Sequence, residues 1–213
     1  MPMQTALLAV PSRQMILVRH GATEPNLAGL RCGGDLDVPL TTLGREQAKQ
    51  AALRIRELGL SVGVIVTSHL QRTRETAAII GEAIGCSEIV IEPGFAERRL
   101  GEWNLRMVDQ TEAELLTGIT PPGGESSAAF FERIVHTTRV CIMPRLGQRP
   151  LLVGSKGVAR ALREMLGMPG DCAPANGELL RFDLSPLDRR KRTAAADPSH
   201  AVAHAPAHAP AHV

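Results

Sequence analysis

Aromatic side chains are nearly missing from this chain: Phe, Trp and Tyr make up 2% of its 213 residues, and there is no tyrosine. With a formal net charge of only +2, the sequence offers neither the stacking platforms nor the basic surface that nucleic-acid binding uses, so nucleic acid is not an expected partner. Lysine is also scarce, at positions 49, 156 and 191 only, and arginine carries nearly all the positive charge. The four cysteines, Cys32, Cys86, Cys141 and Cys172, show neither C-x-x-C nor zinc-ligand spacing. They read as reduced, buried thiols of a cytoplasmic protein. Long apolar runs are missing too. The first fourteen residues hold one short apolar run and no basic leader, which predicts neither a secretory signal nor a membrane span, and no membrane partner.

What is present is an alternation. Short runs rich in Val, Ile and Leu at 15–18, 62–68, 88–93, 150–154 and 178–184 predict strands buried on both faces, because they do not alternate apolar with polar. Between them, 41–58, 70–84, 126–146 and 157–167 carry apolar residues at helical spacing, and in the third of these Phe130 reads as core. Strands alternating with helices predict an α/β three-layer sandwich, a mostly parallel central sheet covered by helices on both faces. The catalytic domain is assigned to 1–187. After "RRKR", residues 188–213 form an Ala/Pro/His-rich segment with few large apolar residues, which cannot offset its ordering entropy and reads as a disordered tail. Its histidines are four apart, but the prolines between them oppose a helical metal site, so no metal is expected there.

Ligands of such sheets gather beyond the carboxyl ends of the strands, and three of those ends carry chemistry. In "MILVRHGATEPN", Arg19 and His20 leave the strand, Gly21 permits close backbone approach, and Thr23 and Asn26 supply short polar groups. In "VTSHLQRTRETA", Arg72 falls in the first turn of a helix, whose amino end favours anions. In "FAERRLGEW", Glu97 follows the third strand beside Arg98 and Arg99. Two arginines, a histidine and a carboxylate suit a phosphoryl group: arginines bind its oxygens in forks and histidine attacks phosphorus.

The chain resembles the histidine phosphatase superfamily, the phosphoglycerate mutase-like family, over roughly 15–184. Arg19, His20 and Gly21 match its RHG triplet, with Thr23 and Asn26 completing R-H-G-x-T-x-x-N. "GGDLDVPLTTLGREQA", "SHLQRTRETA", "ERRLGEW" and "PPGGES" match four further elements in order. The resemblance implies a reaction without metal or cofactor. His20 would become a phosphohistidine, Arg19 and Arg72 would hold the nonbridging oxygens, and Glu97 would protonate the leaving alkoxide and later deprotonate water. For Glu97 to keep that role, Arg98 and Arg99 are expected to face solvent or a substrate carboxylate. The short segment after Glu97 resembles the phosphatase branch more than the mutases. Arg31, Arg98, Arg99 and Arg106 read either as a rim for a small anionic phosphorylated metabolite or as ordinary arginines of a solvated surface; oligomeric state stays open, a homodimer included.

One element departs from the pattern. Where the family usually reads V-S-H-G-G-V-I-R, this chain reads "VGSKGVAR", which sets Ser155 on the second family histidine and Lys156 on a glycine. Two readings stay open: an active phosphatase, or a family member that binds a phosphorylated ligand or performs altered phosphoryl chemistry without efficient hydrolysis. Ser155 donates a hydrogen bond but is shorter than an imidazole; Lys156 either enters the vacated space, or guards the pocket mouth to contact a substrate carboxylate or second phosphate, or points into solvent. His69, free in the family pattern, reads as a surface residue whose loop lies close to the pocket.

Overall fold

A computed structural model describes residues 13–168 and 173–187 of the chain. Its strands are β1 (Gln14–Arg19), β2 (Val64–Thr67), β3 (Ile89–Ile91), β4 (Pro150–Gly154) and β5 (Leu179–Asp183). Its α-helices are α1 (Glu24–Leu27), α2 (Thr42–Glu57), α3 (Gln71–Ile84), α4 (Val108–Leu116), α5 (Ser127–Thr137) and α6 (Lys156–Met165). The strands form one sheet in the order β3-β2-β4-β1-β5, parallel except for β5, which pairs antiparallel with β1. This is the mostly parallel, helix-covered α/β architecture that the alternation implies.

The strand sequences explain why both faces are covered. In β1, Met15 and Leu17 join Leu152 and residues of α5 and α6, such as Ile134 and Leu162, in one core. Ile16 and Val18 point the other way, into a core with Ala52 and Ile55 of α2 and Ala77 and Ile80 of α3. Successive side chains of a strand alternate faces, so an unbroken apolar run needs two apolar layers. The edges differ from that expectation. Ile89 and Ile91 of β3 are exposed, and β5 is only partly buried, because an edge strand lacks a neighbour on one side.

Local chemistry sets the helix ends. The Thr41 hydroxyl accepts from the Gly44 N–H at the start of α2, and Ser126 does the same for Ala129 at the start of α5. Gly85 ends α3 at a φ of +72°, where a side chain would be strained. The helix expected over 126–146 does not run through. It ends at Thr137, continues as a π-helical turn over Thr138–Ile142 and tightens into a 3-10 helix over Met143–Gln148, where Pro144 has no N–H to give. Phe130 is buried in the core shared by α5 and α6, as its spacing predicts. The Ala/Pro/His-rich segment and Cys172 lie outside the described residues; Cys32, Cys86 and Cys141 are free thiols. Among the described residues no helix is long and apolar enough to cross a membrane.

Candidate active site

The carboxyl ends of β1 and β4 lie side by side, with the His20 N–H donating to Gly154 O at 2.9 Å. That pairing places the His20 turn against the Ser155–Gly157 turn. Beyond the strand ends opens a cleft of about 440 Å³ whose walls include Arg19, His20, Asn26, Glu97, Lys156 and Gly157. Five of the nine residues singled out in the sequence thus share one surface. Gly21, Thr23, Arg72 and Ser155 form the layer behind it and are buried.

His20 is almost fully buried, and its Nδ1 lies 2.8 Å from Gly21 O. A carbonyl oxygen only accepts, so Nδ1 carries the proton and Nε2 keeps a lone pair. Burial holds the His20 pKa well below its ordinary value, and the positive charges of Arg72 and Arg19 lower it further, against a small opposing effect of Gly21 O. The ring is therefore a fixed, neutral imidazole near neutral pH. Gly21 has a steric reason to be glycine: a Cβ there would collide with Gly44 O at the start of α2.

Arg72 is completely buried, donating to Leu36 O at 2.8 Å and Gly33 O at 3.1 Å. It is tied to the histidine turn through Thr76, whose hydroxyl donates to Arg72 O and accepts the Gly21 N–H. Arg19 donates to Pro174 O at 2.6 Å. Burial lowers its pKa, with Glu97 opposing and Arg72 adding to the effect. The Nε atoms of both arginines are buried without a partner. Unpartnered guanidinium donors beside a neutral imidazole are what an anion's oxygens would satisfy.

Glu97 is fixed from two sides. Its Oε2 accepts from the Gly157 N–H at 2.8 Å in the first turn of α6, and its Oε1 from the Arg98 N–H at 2.7 Å. A Cβ on Gly157 would overlap this carboxylate, so the glycine is the opening through which Glu97 reaches the helix. Behind Glu97, Arg133 of α5 donates to the carbonyls of Gly94 and Ala96 and grips Glu125 in a fork at 3.0 and 2.7 Å.

Some side chains go elsewhere than expected. Arg98 does not face solvent: it is buried, donating to Glu125 O at 2.7 Å and Ile119 O at 3.3 Å, and it forms part of the cleft wall. Carbonyls of the 117–125 loop, unseen in a local reading, claim its donors. Arg99 is exposed as expected. Of the candidate rim, Arg31 does line the cleft but is held in bonds to Thr111, Val108 O and Glu112, whereas Arg106 lies over the Trp103 ring, outside the cleft walls. His69 is exposed but lies outside the cleft walls, so it brings no second imidazole. Ser155 caps α6 with its Oγ buried and unpartnered, while Lys156 is half-buried on the cleft wall.

Sequence reasoning missed several cleft residues, Asn176 and Cys32 among them. Asn176 donates to His20 O at 2.9 Å and to Asn26 Oδ1 at 3.3 Å, bracing the histidine turn from the loop before β5. The only signal was its Asn-Gly pair, which marks a turn without saying what the turn touches. Cys32 also lines the cleft, its thiol pKa raised chiefly by burial.

Comparison with known proteins gives a consistent result. The model of the histidine phosphatase superfamily (branch 1) matches residues 15–176. A relative from Escherichia fergusonii, named probable phosphoglycerate mutase GpmB, is 40% identical over 168 residues, covering 73% of this chain and 76% of that one. Among solved structures, a mycobacterial glucosyl-3-phosphoglycerate phosphatase complexed with VO3 superposes with a TM-score of 0.65 at 28% identity, covering 79% of this chain and 90% of that one. A protein of Thermus thermophilus, TTHB049, gives a TM-score of 0.66 at 28% identity, over 81% of this chain and 94% of that one.

Proposed function

The chain belongs to the histidine phosphatase superfamily, and from that premise we propose that it is a metal-independent phosphomonoesterase acting on a small anionic phosphorylated metabolite. The observation that carries the reading is the bond between His20 Nδ1 and Gly21 O, which leaves Nε2 unprotonated in a ring whose pKa is held low. In the first step Nε2 forms a bond to phosphorus, the bond to the ester oxygen breaks, and Glu97 gives that oxygen its proton. In the second, Glu97 takes a proton from water, the water oxygen attacks phosphorus, and the phosphorus–nitrogen bond breaks to release phosphate and restore His20. The buried donors of Arg19 and Arg72 offset charge on the transferring group, the role magnesium fills in other phosphoryl-transfer sites. Hydrolysis is favoured over mutase transfer because the chain after Glu97 is short, forming one 3-10 turn at Gly101–Trp103 and α4 before it reaches Ser126. The 28%-identical mycobacterial phosphatase supports the same choice, whereas the curated relative's name points to a mutase.

A second reading rests on Ser155. Set where the family pattern has its second histidine, it presents a buried hydroxyl without a partner. Loss of one positioned donor costs on the order of 10²-fold to 10³-fold in rate, enough to leave a binding protein with little turnover. A phosphomonoester screen in chelator, comparing the wild type with His20→Ala and Ser155→His, separates the two. The phosphatase reading expects wild-type turnover that His20→Ala abolishes. Phosphate binding without turnover, with turnover gained in Ser155→His, would favour the second reading, and activity lost in chelator alone would contradict metal independence.

A further inference from the structure

Glu112 stands where three elements meet. From the middle of α4 its carboxylate reaches Arg31, on the loop after α1, at 2.6 Å, and Arg160 of α6 at 3.6 Å. Lys156, four residues before Arg160 on the same side of α6, adds its charge to that carboxylate. Burial pushes the Glu112 pKa up, but Arg31 first and then Lys156 and Arg160 outweigh it, so the net shift is downward and Glu112 stays ionised. All four side chains line the cleft that holds His20 and Glu97.

Their position relative to the reacting groups gives the cluster a direction. Because Glu97 contacts Gly157, the first turn of α6 marks where the ester oxygen would leave. Arg160 is three residues further, roughly 4.5 Å along the helix axis. Lys156 and Arg160 therefore start beside the acid-base carboxylate and follow the side where a leaving alcohol would lie, on a wall that also carries the Glu164 carboxylate. The same cleft is also lined by Leu30, Val108, Leu115 and Phe131, which suit a short carbon spacer.

We propose that Lys156 and Arg160 form a subsite for a second anionic group on the alcohol side of the substrate, and that Glu112 is the specificity-determining residue that holds them until that anion shares them. The cleft then selects phosphomonoesters whose leaving group bears a carboxylate or second phosphate a few bonds from the ester oxygen. Glu112 acts as an internal stand-in for that group. This rests on the phosphomonoester reading of the same cleft.

Calorimetric titration with phosphonates, which cannot be hydrolysed, tests the subsite independently of turnover. The pair is 3-phosphonopropionate and propylphosphonate, alike except for the carboxylate. The wild type should bind the first about tenfold or more tightly at low salt, the scale of a charge-assisted hydrogen bond, with the ratio shrinking as salt rises. Arg160→Gln should bring the ratio toward one, and Glu112→Gln, which removes the competing carboxylate, should raise it. Propane bisphosphonate in the same titrations identifies which anionic group the subsite prefers. Equal affinities in the wild type, or a ratio unmoved by both substitutions, would overturn the subsite alone. Failure of every phosphonate to bind would overturn the phosphomonoester reading itself.

Discussion

His20 makes the residue-scale argument measurable through pH. Burial, then Arg72 and Arg19, hold its folded pKa well below the ordinary 6.5. In the unfolded chain the same histidine protonates as pH falls through about 6.5, while the folded one refuses the proton. Between those two values the unfolded state binds more protons, so this contribution to stability is full above pH 6.5 and falls as the medium is acidified. The unfolding temperature of the wild type should therefore drop more between about pH 7.5 and about pH 5 than that of His20→Gln; parallel curves would show an unperturbed histidine. In the free enzyme the acid limb of kcat/KM should likewise lie below about 6.5. Arg19, His20 and Glu97 were legible because they lie at the carboxyl end of β1 or on the loop after β3, where backbone position decides that they reach the cleft. Arg98 was not, because its direction is set by carbonyls of Ile119 and Glu125, more than twenty residues away.

At the scale of elements, one ion pair helps to hold α5 to the Glu97 loop, beside the core that Phe95 shares with Phe130 and Ile134. Arg133 fixes the backbone at Gly94 and Ala96 and pairs in a fork with Glu125, whose side chain is only 6% exposed. Burial pushes the Glu125 pKa up, but the bonds and charge of Arg133 outweigh it, and the net shift is downward. This pair therefore adds stability above the ordinary carboxyl pKa that is lost as pH falls through the lowered one. Arg133→Met leaves a buried carboxylate unpaired and should cost about 3 kcal/mol in denaturant unfolding at about pH 7, with the gap to wild type narrowing in acid. A cost below about 0.5 kcal/mol would mean the pair behaves as an exposed one. The long amphipathic helices and the five strands were readable from periodicity, which survives without context. α4 was not, since its apolar residues Val108 and Leu115 line a cleft and not a core, and the break after Thr137 depends on how Pro144 is accommodated.

For the whole molecule, the ordering of strands carries the function. Placing β4 between β1 and β2 sets the His20 turn against the amino end of α6, and the short loop after β3 delivers Glu97 to the same end. No local pattern specifies that order; it follows from pairing strands that need cover on both faces. The central claim is that this convergence makes His20 a nucleophile toward phosphorus. Rapid acid-free quenching during turnover of a phosphomonoester in chelator, followed by peptide mass analysis, tests it most directly. The account predicts a base-stable, acid-labile phosphoryl group on the peptide containing His20, absent in His20→Ala. Steady turnover with His20 unlabelled, or an equal label on another residue in His20→Ala, would contradict it.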